Sequence, residues 1–375
     1  MGAVESRTRT VAVSGYYGFG NSGDEAVLHA IVAALREEAA AAGLNLDIVV
    51  LSGNPAATER LHGVRAAHRM RPGAVLGALR RADALIQGGG SLLQDVTSAR
   101  SMVYYLAVLR TAQRMRVPTY IYAQGIGPIR RRGRFGPAIA RAFAACRYIS
   151  VRDPGSKALL AEFGVDPARV DVVPDPVMGL SAGPGDGAPA GEALRIGVAA
   201  RFWREDRRDL DAVAEGTAAV LSALSAARAV LLPFHLPADL GAADYVAERL
   251  RAAGIAPERI ERRPGAEHPR DMLKETAACD VLVGMRLHAL IYAAASGVPP
   301  VAVSYDPKID AFMQSLGEAP AGGTDDLRAA ALADAVMRMA RLGKTEWYRG
   351  KSALIENMRQ NSRRPAQLIV QGMRI

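Results

Sequence analysis

Gly15–Leu35, GYYGFGNSGDEAVLHAIVAAL, holds a G-x-G-x-x-G run at Gly18, Gly20 and Gly23. The apolar run Thr10–Gly15, TVAVSG, precedes it, and an Ala-rich helical pattern follows. Strand, glycine loop and helix in that order open a βαβ unit. Outward from this point the same alternation continues. DIVVLSG, ADALIQGGG, PTYIYAQG, RYISVRD and VDVVPDP read as strands, with helical segments such as MVYYLAVLRTAQRMR and GPAIARAFAACR between them. Alternation of this kind predicts a parallel sheet covered by helices, with ligands at the carboxyl ends of the strands.

Residues 181–193, SAGPGDGAPAGEA, carry no periodic apolar face and read as a linker. The alternation then restarts with LRIGVAAR, RAVLLPFH, ERIERR, DVLVGM and PPVAVSY as strands. The expected organisation is a Rossmann-like domain over 1–180, the linker, a second Rossmann-like domain over 194–345 and a helical tail over 346–375. The fold class is therefore α/β, with two Rossmann-like domains in a GT-B-like arrangement around an interdomain cleft. A length of 375 residues with half of them apolar suits two cores.

The glycine loop argues against a nicotinamide dinucleotide. That ligand needs an acid at the end of the second strand, and DIVVL ends instead in Ser52-Gly53-Asn54. Asp24 would also repel a pyrophosphate. It reads either as a cap for a helix starting at Glu25 or as a base facing a ligand. Gly88, Gly89 and Gly90 leave a strand end without side chains, where backbone N–H groups meet an anion or a sugar. In the second half, VGMRLHAL places Arg286 and His288 at a strand end and a helix start. A cation at a helix N-terminus calls for a compensating anion, which makes this an anion site. Arg152, Arg201, His235 and Lys308 also fall at or just beyond strand ends.

Composition bounds the remaining classes. Cys146 and Cys279 are the only cysteines and are far apart, so a disulfide framework or cysteine zinc site is not expected. The N-terminus lacks the apolar core of a signal peptide, and no apolar run is long enough to span a bilayer. A cytoplasmic protein is the default expectation. Arg60–Arg152 holds 17 arginines, no lysine and two carboxylates, a surplus of fifteen positive charges. Its runs RMRPGAVLGALRR and IRRRGRFGPAIARAF read either as a solvated surface or as a dock for the anionic inner membrane leaflet. Only five of the chain's 47 basic residues are lysines, which favours compositional bias. Nucleic acid is not expected as a partner, since no zinc-finger or RRM pattern is present.

Taken together, GYYGFGNSGDEAVL, QGGGSLLQD, AQGIGP, SVRDPGSKALLAEFGV, VVPDP, the AVLLPFH strand end, VGMRLHAL and SYDPKID resemble the polysaccharide pyruvyl transferase family, and within it the bacterial CsaB type. The pieces occur in the family's order over nearly the whole chain. The resemblance implies transfer of pyruvate from phosphoenolpyruvate to a sugar as a 4,6-ketal, with release of phosphate. It implies as acceptor an N-acetylmannosamine residue of a lipid-linked secondary cell-wall polysaccharide precursor, whose ketal is bound by surface-layer proteins. That chemistry calls for one acid, one base and an anion clamp, and for neither metal nor cofactor. His288 is then the acid and Asp24 the base. Arg286, Arg152 and Lys308 hold the phosphate and carboxylate, with Arg201 and His235 as further clamp residues. Asn21 joins the substrate-binding set, and Gly88–Gly90 floor the acceptor. The rival readings are a GT-B glycosyltransferase using a nucleotide sugar and a non-catalytic polysaccharide-binding module.

Overall fold

Each β-branched run becomes a strand because it can be buried on both faces of a parallel sheet. The structure, a computed structural model, describes residues 8–95, 99–180 and 193–374. All but the last residue of the expected linker 181–193 lies outside the described residues. The chain divides into two units. The first holds the described residues up to Phe19, Asp24–Gly179 and Met358 onward, and the second holds Gly20–Gly23 and Leu180–Asn357.

The first unit's sheet comprises β1 (Arg9–Ser14), β2 (Leu46–Ser52), β3 (Arg65–His68), β4 (Ala84–Gly88), β5 (Thr119–Gln124), β6 (Tyr148–Val151) and β7 (Val170–Val172). Their spatial order is β3-β2-β1-β4-β5-β6-β7, and every pairing is parallel. The second unit's sheet comprises β8 (Arg195–Ala199), β9 (Arg228–Leu231), β10 (Ile260–Arg262), β11 (Val281–Gly284), β12 (Pro300–Ser304) and β13 (Gly322–Gly323). Its order, β10-β9-β8-β11-β12-β13, repeats the first and is also parallel. The expected α/β class with two Rossmann-like sheets is observed. In each sheet the strand order reverses once, at β1/β4 and at β8/β11. Ligands of open α/β sheets bind at such switch points.

Local sequence explains the helix starts. Asn54, Asp153 and Asp306 each accept a bond from a backbone N–H in the first turn, and each is followed by a proline at the first helical position. Helices Pro72–Arg81, Ala99–Arg114 and Arg132–Ala144 place Val75, Leu79, Met102, Leu109, Ile139 and Phe143 against Leu85, Ile121 and Ile149 of the first sheet. The two Arg-rich amphipathic runs thus spend their apolar faces on the core.

The C-terminal segment expected as a tail is one helix, Lys344–Met373. Its second half belongs to the first unit, where Ala366, Ile369 and Val370 are buried. Tyr122 Oη donates to Ser362 O (3.1 Å), and Arg363 pairs with Glu37 (2.7 Å). No helix among the described residues is long and apolar enough to cross a membrane.

Candidate functional site

The second unit's switch point is built partly from the opening glycine loop. Gly20–Gly23 runs antiparallel beside the segment that follows β9. Ser22 N donates to Phe234 O (2.9 Å), Leu236 N donates to Gly20 O (3.1 Å), and Asn21 pairs with His235. Tyr292, on helix Leu287–Ala295, donates to Ser22 O (3.1 Å) and bonds its hydroxyl (3.2 Å). Asn21 Oδ1 accepts from Gly23 N (3.1 Å) and so closes the first turn of helix Ser22–Ala41. That helix starts three residues before Glu25, so Asp24 lies inside its first turn and is not the cap. Gly23 is required by contact: a Cβ there would stand 2.5 Å from His288 Cγ.

Arg286 and His288 sit where the sequence placed them, just beyond β11. The anion that compensates Arg286 comes from the protein. Arg286 Nε donates to Asp239 Oδ2 (3.0 Å), and Nη2 pairs with Asp239 Oδ1. Asp239 is 1 % exposed and also accepts from His235 N (2.9 Å). The electrostatic argument that demanded an external anion is therefore met inside the fold, and Arg286 enters the site as one arm of a bidentate pair. Burial and the charges of Arg286 and Arg201 hold the His235 imidazole below its usual range, with Asp239 pulling the other way. His235, Arg201 and Arg286 thus share one neighbourhood.

Arg201 follows β8 and Tyr305 follows β12, yet Arg201 Nη1 donates to Tyr305 Oη (2.6 Å). Because β11 lies between those strands, the bond bridges the end that carries Arg286. Trp203 lies on Tyr305, with ring centroids 4.3 Å apart. Lys308 starts its helix by donating its backbone N–H to Asp306 (3.0 Å), and its residue is half-buried beside this bridge in the sequence.

In the first unit Gly88, Gly89 and Gly90 are all buried. Gly89 and Gly90 have φ of +66° and +63°. Added Cβ atoms would stand 2.7 Å from Ile31 Cδ1 at Gly88, 3.1 Å from Val27 Cβ at Gly89 and 2.8 Å from Asp24 Oδ1 at Gly90. Left-handed backbone and close helix packing account for the three glycines. Their placement still sets the Asp24 carboxylate beside a strand end bare of side chains. Its neighbour Glu25 braces the loop, accepting from Gly18 N (2.7 Å) and bonding His62 Nε2 (3.0 Å). Tyr17 Oη donates to Gly88 O (2.7 Å) and ties the loop to β4.

Arg152 is more committed than its strand-end position suggested. Its side chain is 7 % exposed and bonds Asp175 (2.8 Å) and Ser91 Oγ (2.9 Å). The other carboxylates near strand ends are bonded in the fold: Asp153 caps Ser156 (2.7 Å), and Asp95 accepts from Arg130 N (2.6 Å) and Arg131 N (2.9 Å).

Sequence reasoning missed Asp239, and it placed Asp175 near a strand end without its pairing to Arg152, because ion pairing across strands leaves no spacing signal. It also missed a buried polar row. Ser14 and Gln87 are in register on β1 and β4, and Gln124 closes β5; their side-chain polar atoms are buried without hydrogen-bond partners among the described residues. Each residue immediately precedes a glycine at its strand end, Gly15, Gly88 and Gly125.

A sequence profile of the family described as polysaccharide pyruvyl transferase matches residues 21–307. No curated protein matches the chain. Among solved structures, a glycosyltransferase from Rickettsia africae is similar with a TM-score of 0.67 at 10 % identity, over 98 % of this chain and 99 % of that one. UDP-GlcNAc 2-epimerase from Neisseria meningitidis, bound to UDP-GlcNAc, gives 0.60 at 10 % identity over 98 % and 99 %. The Anabaena protein HepE, in complex with UDP and glucose, gives 0.59 at 12 % identity over 98 % of both. At these identities the structures share the fold, and the profile supplies the membership. With the profile spanning most of its length, including NSGDE, GGGSLLQD and GMRLHAL, the chain belongs to the polysaccharide pyruvyl transferase family.

Proposed function

We propose that this protein moves pyruvate from phosphoenolpyruvate onto two hydroxyls of one sugar residue, forming a cyclic 4,6-ketal and releasing phosphate. The acceptor in this reading is an N-acetylmannosamine residue of a lipid-linked cell-wall polysaccharide precursor. The observation that carries the proposal is the gathering of Arg201, His235 and Arg286 at the second unit's switch point, with His288 on the adjoining helix. Phosphoenolpyruvate carries a phosphate and a carboxylate, and a cluster of this sign and size suits such a ligand.

The assigned roles follow the chemistry. His288 gives a proton to the methylene carbon of the enol, which makes C2 electrophilic. A sugar hydroxyl adds at C2 and loses its proton to Asp24. The C2–phosphate bond then breaks, the second hydroxyl closes the ring, and its proton leaves with the phosphate or returns to His288. Atoms balance, and no electrons pass to an outside carrier. Arg286, Arg201 and Lys308 bind the anionic groups in this reading. Arg152 acts on them only from within its pair with Asp175.

A nucleotide-sugar transferase is the second reading, favoured by the UDP-bound neighbours. Such a site needs a carboxylate free to meet a ribose. Asp239 is instead buried against Arg286 and His235.

The test is incubation with phosphoenolpyruvate and a β-linked N-acetylmannosaminyl acceptor, following phosphate release and the acceptor's mass. Acceptor-dependent phosphate release with a mass gain of one pyruvyl ketal is expected. His288→Ala should abolish both while its circular dichroism stays that of the wild type. Wild-type turnover by that variant overturns the role of His288, and consumption of a UDP-sugar in place of phosphoenolpyruvate overturns the reaction.

A further inference from the structure

The loop after β1 leaves two aromatic rings in solvent. Tyr16 is 37 % exposed and Phe19 39 %, while Tyr17 between them is buried. The exposed rings stack with centroids 4.3 Å apart and 15° between planes. The stack is supported from beneath. Phe19 lies on Gly53, where a Cβ would stand 2.6 Å from Cζ. The Arg69 guanidinium is 5.4 Å from the Phe19 centroid, and its Nη1 donates to Gly15 O (3.1 Å) and Tyr105 Oη (3.0 Å). Fully burying a phenyl ring contributes about 1.5–3 kcal/mol, so leaving each residue more than a third exposed forgoes part of that gain.

We infer that the Tyr16–Phe19 stack is the platform on which the acceptor's pyranose ring rests, an inference that deepens the pyruvyl-transfer reading and rests on it. A pyranose presents one face of C–H bonds and a rim of hydroxyls. A flat aromatic surface takes the face, and hydrogen-bond acceptors take the rim. Both are present within the first unit. The Asp24 carboxylate lies against Gly90, and burial first and the Asp24 charge second raise the Tyr16 phenol above its usual range, with Arg69 pulling the other way. Arg69, the cation under the stack, is buried and turned to Gly15 and Tyr105. The groups facing the platform therefore suit a neutral hydroxylated ring and disfavour an anion. The same assignment makes Asp24 a neighbour of the sugar hydroxyls, as the base role requires.

The test uses the full chain with Tyr16→Ala, Phe19→Ala and Tyr16→Phe, each checked by thermal melting. Saturation-transfer NMR with methyl N-acetyl-β-mannosaminide reads binding without turnover. Steady-state kinetics with phosphoenolpyruvate reads the two substrates separately. Loss of a stacking ring should raise KM for the acceptor about tenfold. KM for phosphoenolpyruvate should stay within about twofold, and Tyr16→Phe, which keeps the ring and loses only the phenol's hydrogen bond, should raise the acceptor's KM less than Tyr16→Ala does. Saturation transfer to the sugar's ring protons should disappear in Tyr16→Ala. If both alanine variants bind and turn over the acceptor as the wild type does, the platform is wrong. It is also wrong if KM rises equally for both substrates, or if a nucleoside diphosphate and not the mannosaminide receives the saturation. Wild-type protein that binds the mannosaminide without transferring pyruvate would sink the reaction and leave the platform standing.

Discussion

Gly23 shows how a single atom sets the site. Its position in a helix would ordinarily favour alanine by about 0.5–1 kcal/mol. The His288 ring occupies the space a Cβ would need. Gly23→Ala should therefore displace His288 and cut kcat at least about tenfold, with a melting temperature close to the wild type's because the helix gains what the contact loses. Full activity in this variant would show that His288 does not need its observed place. The neighbouring residues divide their work just as sharply. Asn21 caps, Ser22 is pinned by Tyr292, Asp24 lies at Gly90 and Glu25 braces Gly18. Six consecutive letters that read as one glycine-rich motif thus carry several separate physical demands.

Among the elements, strand ends are where the candidate site's charged side chains gather, and carboxylates fix two of the cations, Arg286 and Arg152. Asp239 precedes helix Leu240–Ala252 and holds Arg286, which follows β11. We expect Asp239→Asn to remove a charged, bidentate constraint and lower kcat/KM for phosphoenolpyruvate about tenfold, the equivalent of a charge-assisted hydrogen bond. A readout specific to this role is the His235 imidazole titration. It should move further down, since the carboxylate that pulls it upward is gone. An unmoved titration with reduced stability would make Asp239 a purely structural residue. The direction also fixes the protein's own pH response. A histidine held low in the folded state is protonated first in the unfolded chain, so its contribution to stability is lost as pH falls through the ordinary imidazole range. The row Ser14, Gln87 and Gln124 belongs to this scale too. Each unpartnered buried polar group costs about 1–3 kcal/mol, a cost borne at the C-terminal edge of the first sheet.

For the whole molecule, the two units are not two consecutive stretches of chain. Residues from Met358 return to the first unit, where Tyr122 and Glu37 bind the helix. A chain ending at Asn357 should expose the apolar surface that Ala366, Ile369 and Val370 cover. Differential scanning calorimetry should then show the first unit melting several degrees lower with the second unit's transition largely kept. Unchanged melting of both would mean that the returning helix contributes no stability.

The sequence by itself determined the two parallel sheets, eleven of the thirteen strands described, and the strand ends that carry Arg201, His235, Arg286 and His288. These depend on neighbours a few residues away: apolar runs and the glycine, serine or aspartate that ends them. It left β3 unread, since Arg-Ala-Ala-His has neither β-branched residues nor alternation, and β13, which is two glycines. Only the tertiary structure decided which unit Gly20–Gly23 joins, that Asp239 and Asp175 neutralise the strand-end arginines, and that the last helix returns to the first unit. Ion pairs and packing surfaces form between residues tens to hundreds of positions apart. The local pattern that specifies an element carries no record of the partner it will meet.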